Sequence, residues 1–176
     1  MSGGQVNNPP PNDKSGEELV ASHAELIGRV TVVWNDVHRQ VGQLFEDFCA
    51  SAEARDQYWD IQNDSRQRRR LLSEGTFALQ EYPDLYERLE KTLAAIDDLA
   101  QDRNATIHTY WAIDLPAGKI LAHRQVPSHK SLRRDFEEQF NELLKKLSDQ
   151  WRSLWNLRID YSDRKAGLPA ATKGPT

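Results

Sequence analysis

Apolar residues return at helical spacing along most of this chain. Ile27, Val30, Trp34, Val37, Val41, Leu44 and Phe48 step alternately by three and four, which predicts one long helix from about residue 16 to 50. Ser15 followed by Glu18 fits a capping box at its start. A seam this regular suits either a bundle core or a dimer interface. Ser51 can cap a second helix, running to about residue 79. Its apolar marks are sparser: Ala54, Tyr58, Ile61, Leu71, Leu72, Phe77 and Leu79, around a polar middle from Gln62 to Arg70. Gly75 weakens it late. Tyr82-Pro83 interrupts the pattern. A third helix carries Tyr86, Leu89, Leu93, Ile96 and Ala100, and the same stepping continues through Arg103 and Ile107. Leu115-Pro116-Ala117-Gly118-Lys119 reads as a turn between two short extended pieces. A last helix begins between Ser128 and Ser131 and runs to about 158. Leu132, Phe136, Phe140, Leu143, Leu147, Trp151 and Leu154 form its stripe, with Leu144 and Trp155 widening it. The expected fold is all-α: a four-helix up-and-down bundle with a small hairpin or loop insertion before the last helix, its aromatic residues filling the volume.

Composition adds boundaries. Residues 1–14 and 162–176 are polar and rich in Gly, Pro or Asn, and read as a disordered arm and tail around a helical domain at 15–161. No long apolar run exists, so no membrane span is expected. The first residues have no basic start and no apolar core, which argues against a secretory signal and for a cytoplasmic protein. A net charge of −4 disfavours broad coating of nucleic acid but allows a local basic site. Cys49 is the only cysteine, which removes disulfides and cysteine metal cages, and it reads as a small buried hydrophobe. His23 and His38 read as solvated or rim residues, since neither has a partner at an obvious metal spacing. Arg66, Arg68, Arg69 and Arg70 are the densest positive charge. They form either a solvated face paired with nearby acids or a surface for phosphate contacts, with Arg66 and Arg69 as substrate-binding candidates.

The run from Asp102 to Trp111 concentrates functional groups. Arg103 falls on a stripe that should face the interior, where a charge is costly unless paired or near the bundle's end. Such local conflicts mark functional places. RNA is cleaved without metal when its 2′-hydroxyl attacks the adjacent phosphorus. That needs a base of near-neutral pKa, a role for His108, and a cation on the phosphate, a role for Arg103. Asn104 can orient the histidine or bind a phosphate oxygen, Tyr110 can donate a hydrogen bond, and Trp111 can stack on a base. No metal or cofactor is called for. In a continuous helix Arg103 and His108 point about 140° apart. A single site therefore needs a helix break between them or two chains facing each other. The spacing alone is weak: Arg124 and His129 repeat it, across a proline and without the asparagine. The competing reading is a polar helix end, with Arg103 paired to Asp97, Asp98 or Asp102, His108 capping the helix, and Tyr110 and Trp111 in the core.

Arg103-Asn104-Ala105-Thr106-Ile107-His108 resembles the Arg-x(4–6)-His signature of the HEPN superfamily, in which a polar residue, often Asn, follows the Arg. The resemblance implies a compact helical bundle that acts as a metal-independent endoribonuclease, active as a homodimer with two motifs facing each other. Such proteins serve in toxin–antitoxin, phage-defence and RNA-processing systems. It implies Arg103 and His108 as catalytic and Asn104 as supporting. The extension to Tyr110 is similar to toxins paired with a nucleotidyltransferase-like antitoxin that adenylylates this tyrosine. Other members are non-catalytic modules that bind proteins or nucleotides, which is the alternative here.

Overall fold

The computed structural model of the protein describes residues 15–108, 111–114, 118–122 and 136–168. They form α1 (Gly16–Phe48), α2 (Ala52–Trp59), α3 (Asp64–Ala78), α4 (Pro83–His108), β1 (Trp111–Asp114), β2 (Lys119–Ala122) and α5 (Phe136–Lys165). The fold is mostly helical with one small two-stranded antiparallel sheet, in register Trp111 with Ala122 through Asp114 with Lys119. The expected arm at 1–14, Leu132 and the start of the last helix lie outside the described residues.

The start of α1 is chemically specified. The Ser15 hydroxyl accepts from the Glu18 amide at 3.3 Å, and the Glu18 carboxylate accepts from the Ser15 amide at 2.6 Å. Val30, Val37, Val41 and Leu44 of the heptad seam are fully buried, and Trp34 and Phe48 nearly so. The seam is therefore intramolecular core, and the dimer interface it could equally have formed is not free. Cys49 is buried as expected.

The expected second helix is two helices. Asp60-Ile61-Gln62-Asn63 interrupts it, and short polar side chains there compete for backbone groups. The Asn63 side chain accepts from the Arg66 amide at 2.8 Å and starts α3 afresh. The preceding α2 folds back along α1: the Tyr58 ring stacks on Phe45 at 4.1 Å, and Trp59 covers Gly42. The chain then reverses, so that α3 runs alongside α1, with Asp64 beside His38 and Gly75 beside Phe48.

α1 packs on α5 and on α3, and α4 packs on the same two helices, so α1 and α4 occupy opposite corners. α1 and α5 run in the same direction, Ser22 meeting Glu137 and Asp47 meeting Arg158. α4 runs against α5, with Arg88 on Asp160 and Arg164 making a two-pronged pair with Asp84 at 2.6 Å. The last helix continues past its expected end near 158 to Lys165, because Leu157 and Tyr161 extend the buried stripe. Residues 162–165 therefore belong to α5 and not to a tail. Not every aromatic fills the core: Phe77 and Trp155 are exposed at 75% and 41%. Phe77 lies about 160° by helical spacing from Leu79, the residue that closes α3, so burying Leu79 turns it outward.

Two glycines give a paired test. In Gly75 a Cβ would stand 2.6 Å from the buried Leu89 Cδ2, whereas Gly28 on α1 has no atom within 4 Å of that position. Gly28→Ala is expected to stabilise by up to about 1 kcal/mol through helix propensity. Gly75→Ala is expected to destabilise by about 1–3 kcal/mol, because overpacking outweighs the same propensity gain. Urea unfolding of the two variants beside the parent chain measures both, and equal gains would contradict the close α3–α4 packing.

Candidate functional site

Where α3 begins, charged and polar side chains from α1, α3 and α4 meet. Arg68 is 3% exposed, yet it carries a full charge. Its Nε donates to Asp97 Oδ1 at 2.8 Å and its Nη2 donates to the same oxygen, while Nη1 is buried with no hydrogen-bond partner. This is the only inward-facing member of the expected arginine cluster. Arg66, Arg69 and Arg70 sit on the opposite face of α3 and are exposed.

His38, expected as a solvated or rim residue, lies at the rim and mostly covered. Its side chain is 14% exposed, with Nε2 3.3 Å from Asp64 Oδ2 but out of line for a hydrogen bond. Its ring lies 4.7 Å from that of Trp34. Burial holds the imidazole below its usual pKa; Asp64 opposes this, while the Arg68 and Arg103 guanidiniums reinforce it. His23 is likewise enclosed, edge-on to Phe136 at 4.2 Å, and burial lowers its pKa too. The Tyr58 hydroxyl is buried without a partner, and burial drives its pKa upward.

Arg103 turns toward α1, as its place on the seam requires. Its guanidinium carbon lies 5.6 Å from the centre of the Trp34 ring, and Nη1 donates to the Asn104 side-chain oxygen at 2.9 Å. Nε is buried without a partner. Among the described residues no carboxylate pairs with Arg103: of the three acids that the competing reading offered it, Asp97 is taken by Arg68, and neither Asp98 nor Asp102 reaches it. This differs from Arg68, Arg88, Arg158 and Arg164, each of which is held by an aspartate.

α4 continues unbroken through His108, so no helix break brings His108 round to Arg103. Asn104 and His108 are exposed one turn apart. Trp111, expected as a base-stacking platform, packs instead against Phe136 at 5.0 Å, and its Nε1 donates to the Thr106 carbonyl at 3.0 Å, tying β1 to the end of α4. Tyr110 lies outside the described residues, as do Arg124 and His129. The site thus brings Arg103 and Asn104 together, leaves His108 in solvent one turn beyond Asn104 and turned away from Arg103, and places His38 and Arg68 behind Arg103. Sequence reading missed these last two. The signal that could have found Arg68 is its place three residues before Leu71, on the buried side of α3.

Among the described residues, no group of three or more His, Cys, Asp or Glu is placed to hold a metal, and no helix is long and apolar enough to cross a membrane. Comparison with protein-family models, curated proteins and solved structures finds no match.

Two predictions follow from the buried charges. Asp97 is itself 46% exposed, so Asp97→Ala, which removes the carboxylate from the buried Arg68, is expected to destabilise by about 1–3 kcal/mol in urea unfolding; a change below about 0.5 kcal/mol would show that water replaces the carboxylate. His38 and His23 have folded pKa values below their unfolded value of about 6.5. The unfolded chain therefore binds protons first, and this stability is fully present above that pH and lost below it. The melting temperature is expected to fall from pH 7.5 to pH 5, and less steeply in His38→Gln. An unchanged pH slope in that variant would mean that His38 is open to solvent.

Proposed function

We propose that the protein is a HEPN-like, metal-independent endoribonuclease of the toxin or defence type. In this reading α1, α3, α4 and α5 are the four helices of the bundle and α2 is an addition. The observation that carries it is the guanidinium of Arg103, held on the Trp34 face and the Asn104 amide with no carboxylate of the described residues on it. An arginine fixed in place and not cancelled by an acid is suited to the charge that grows on a phosphate in the transition state. His108, exposed one turn beyond Asn104, takes the proton from the RNA 2′-hydroxyl. The 2′-oxygen then bonds to phosphorus and the bond to the 5′-oxygen breaks; the leaving oxygen takes a proton from the protonated His108 or from water, giving a cyclic phosphate and a 5′-hydroxyl. Because Arg103 and His108 diverge by about 140° on one helix, the working site takes Arg103 from one chain and His108 from a second, in a homodimer. Tyr110 is the modification point if a nucleotidyltransferase-like antitoxin partners the chain.

The same divergence favours a second reading, in which one chain uses Arg103 and Asn104 to bind a phosphate group without cutting.

The test uses the purified full chain with RNA in EDTA. Cleavage leaving cyclic-phosphate ends is expected, and His108→Ala and Arg103→Ala should each lower the rate by at least about 100-fold. The melting temperature of His108→Ala should be unchanged, since the His108 side chain is exposed. Equal parts of the two inactive variants should regain part of the activity, because mixed dimers hold one intact site. RNA left whole by the wild-type dimer across pH 5–9, yet retained in a complex, would select the binding reading.

A further inference from the structure

The outer face of α3 forms one wall of a groove of about 520 Å³ against α2. Arg66, Arg69 and Arg70 line this wall, and Tyr58 and Ile61 form the floor, with Gln57 opposite. Arg69 and Arg70 follow Arg66 at three and four residues, so the three share one face at two successive levels and spread along it, and do not meet at one point. Their charge is little neutralised. Arg66 has no carboxylate partner among the described residues. Arg69 reaches only the Ser65 carbonyl at 3.4 Å, and Arg70 has Glu74 at 3.6 Å on an exposed flank. The acids of α2 lie elsewhere: Asp56 and Asp60 fall on the side away from the groove by helical spacing. Glu53, which accepts from the Gln57 amide at 3.3 Å, stands at the far end. Asp64 is turned to His38.

We infer that this groove is a track for the backbone of single-stranded RNA, with the arginine row on successive phosphates. Arginine forks match phosphate oxygens, and a row of them matches a chain of charges better than a lone anion. The floor is apolar but closed, Tyr58 being 1% exposed, so a base of an unstacked strand rests on Ile61, a contact that a duplex would keep hidden. The inference rests on RNA being the substrate of the proposed nuclease and adds where the strand lies outside the reacting bond. It also explains why α3 divides its arginines between two faces: Arg68 fastens the helix to α4, and the other three are left free of that task.

The experiment measures binding of a labelled oligouridylate of about 20 nucleotides by fluorescence anisotropy. It uses the full chain carrying His108→Ala so that RNA is not consumed, in EDTA over a salt series. Adding Arg66→Ala and Arg69→Ala together is expected to weaken binding at least tenfold. It should also reduce the slope of log affinity against log salt by about 1.4, two contacts at about 0.7 each for a single strand. The melting temperature should not change, since both side chains are exposed. Arg66→Lys with Arg69→Lys should keep the salt slope while losing part of the affinity. Binding equal to the parent in the alanine pair would overturn the inference, as would no binding of RNA by the parent. Equal displacement by polyglutamate would also overturn it and assign the groove to an acidic protein. The two readings fail separately. Wild-type chain that binds RNA through Arg66 and Arg69 but never cuts it removes the nuclease and keeps the groove. Cutting with unchanged binding in the alanine pair removes the groove and keeps the nuclease.

Discussion

A single buried guanidinium organises this protein. Arg68 lies in the interior of the helical packing and depends on Asp97 for its charge balance. Moving such a group out of water costs several kcal/mol, and this is recovered only while the partner stays in place. The pair therefore sets the height and rotation of α3 against α4. Once α3 is set, Asp64 comes to His38, Gly75 comes to Leu89, and the other arginines of the helix must face outward. One interaction fixes where the chain's densest positive charge is displayed.

The surroundings of Arg103 are set by its own place on α4. Asp97 and Arg103 belong to one helix, six residues apart, too far for a pair along its surface. Among the described residues Arg103 meets an aromatic face and a neutral amide, neither of which cancels its charge. Trp34 and Asn104 hold the guanidinium in position while keeping its charge available, the condition for electrostatic stabilisation of a phosphate without reorganisation. His38, kept neutral by burial and by two neighbouring arginines, adds no positive charge of its own there at neutral pH.

Much of the fold was legible because it depends on local pattern. The seam of α1, its capping box, the stripe of α4 and the two extended pieces around Gly118 each follow from residues close in sequence. The break at Asp60–Asn63 was harder to see. Asn63 is a good cap, but polar residues also occur on solvated helix faces, and only the stacking of Tyr58 on Phe45 shows which applies. At the site, Arg103 stood out because a charge interrupted an apolar stripe. His38 and Arg68 did not, since each sat among polar neighbours where exposure is the ordinary outcome. The sequence allows Trp111 as a stacking ring or as a core residue, and its packing on Phe136 with the indole nitrogen on the Thr106 carbonyl decides for the second.

The sequence by itself determined that the chain is helical, where most helices begin, and that Arg103, Asn104 and His108 share the last turns of one of them. Those properties follow from hydrogen bonds and side-chain periodicity over a few residues. Tertiary structure alone decided which acid each arginine receives, that the α1 seam is internal core, and that α3 shows one arginine to the interior and three to solvent. These outcomes depend on competition between groups distant in sequence for a limited number of buried partners. No local pattern records which of them wins.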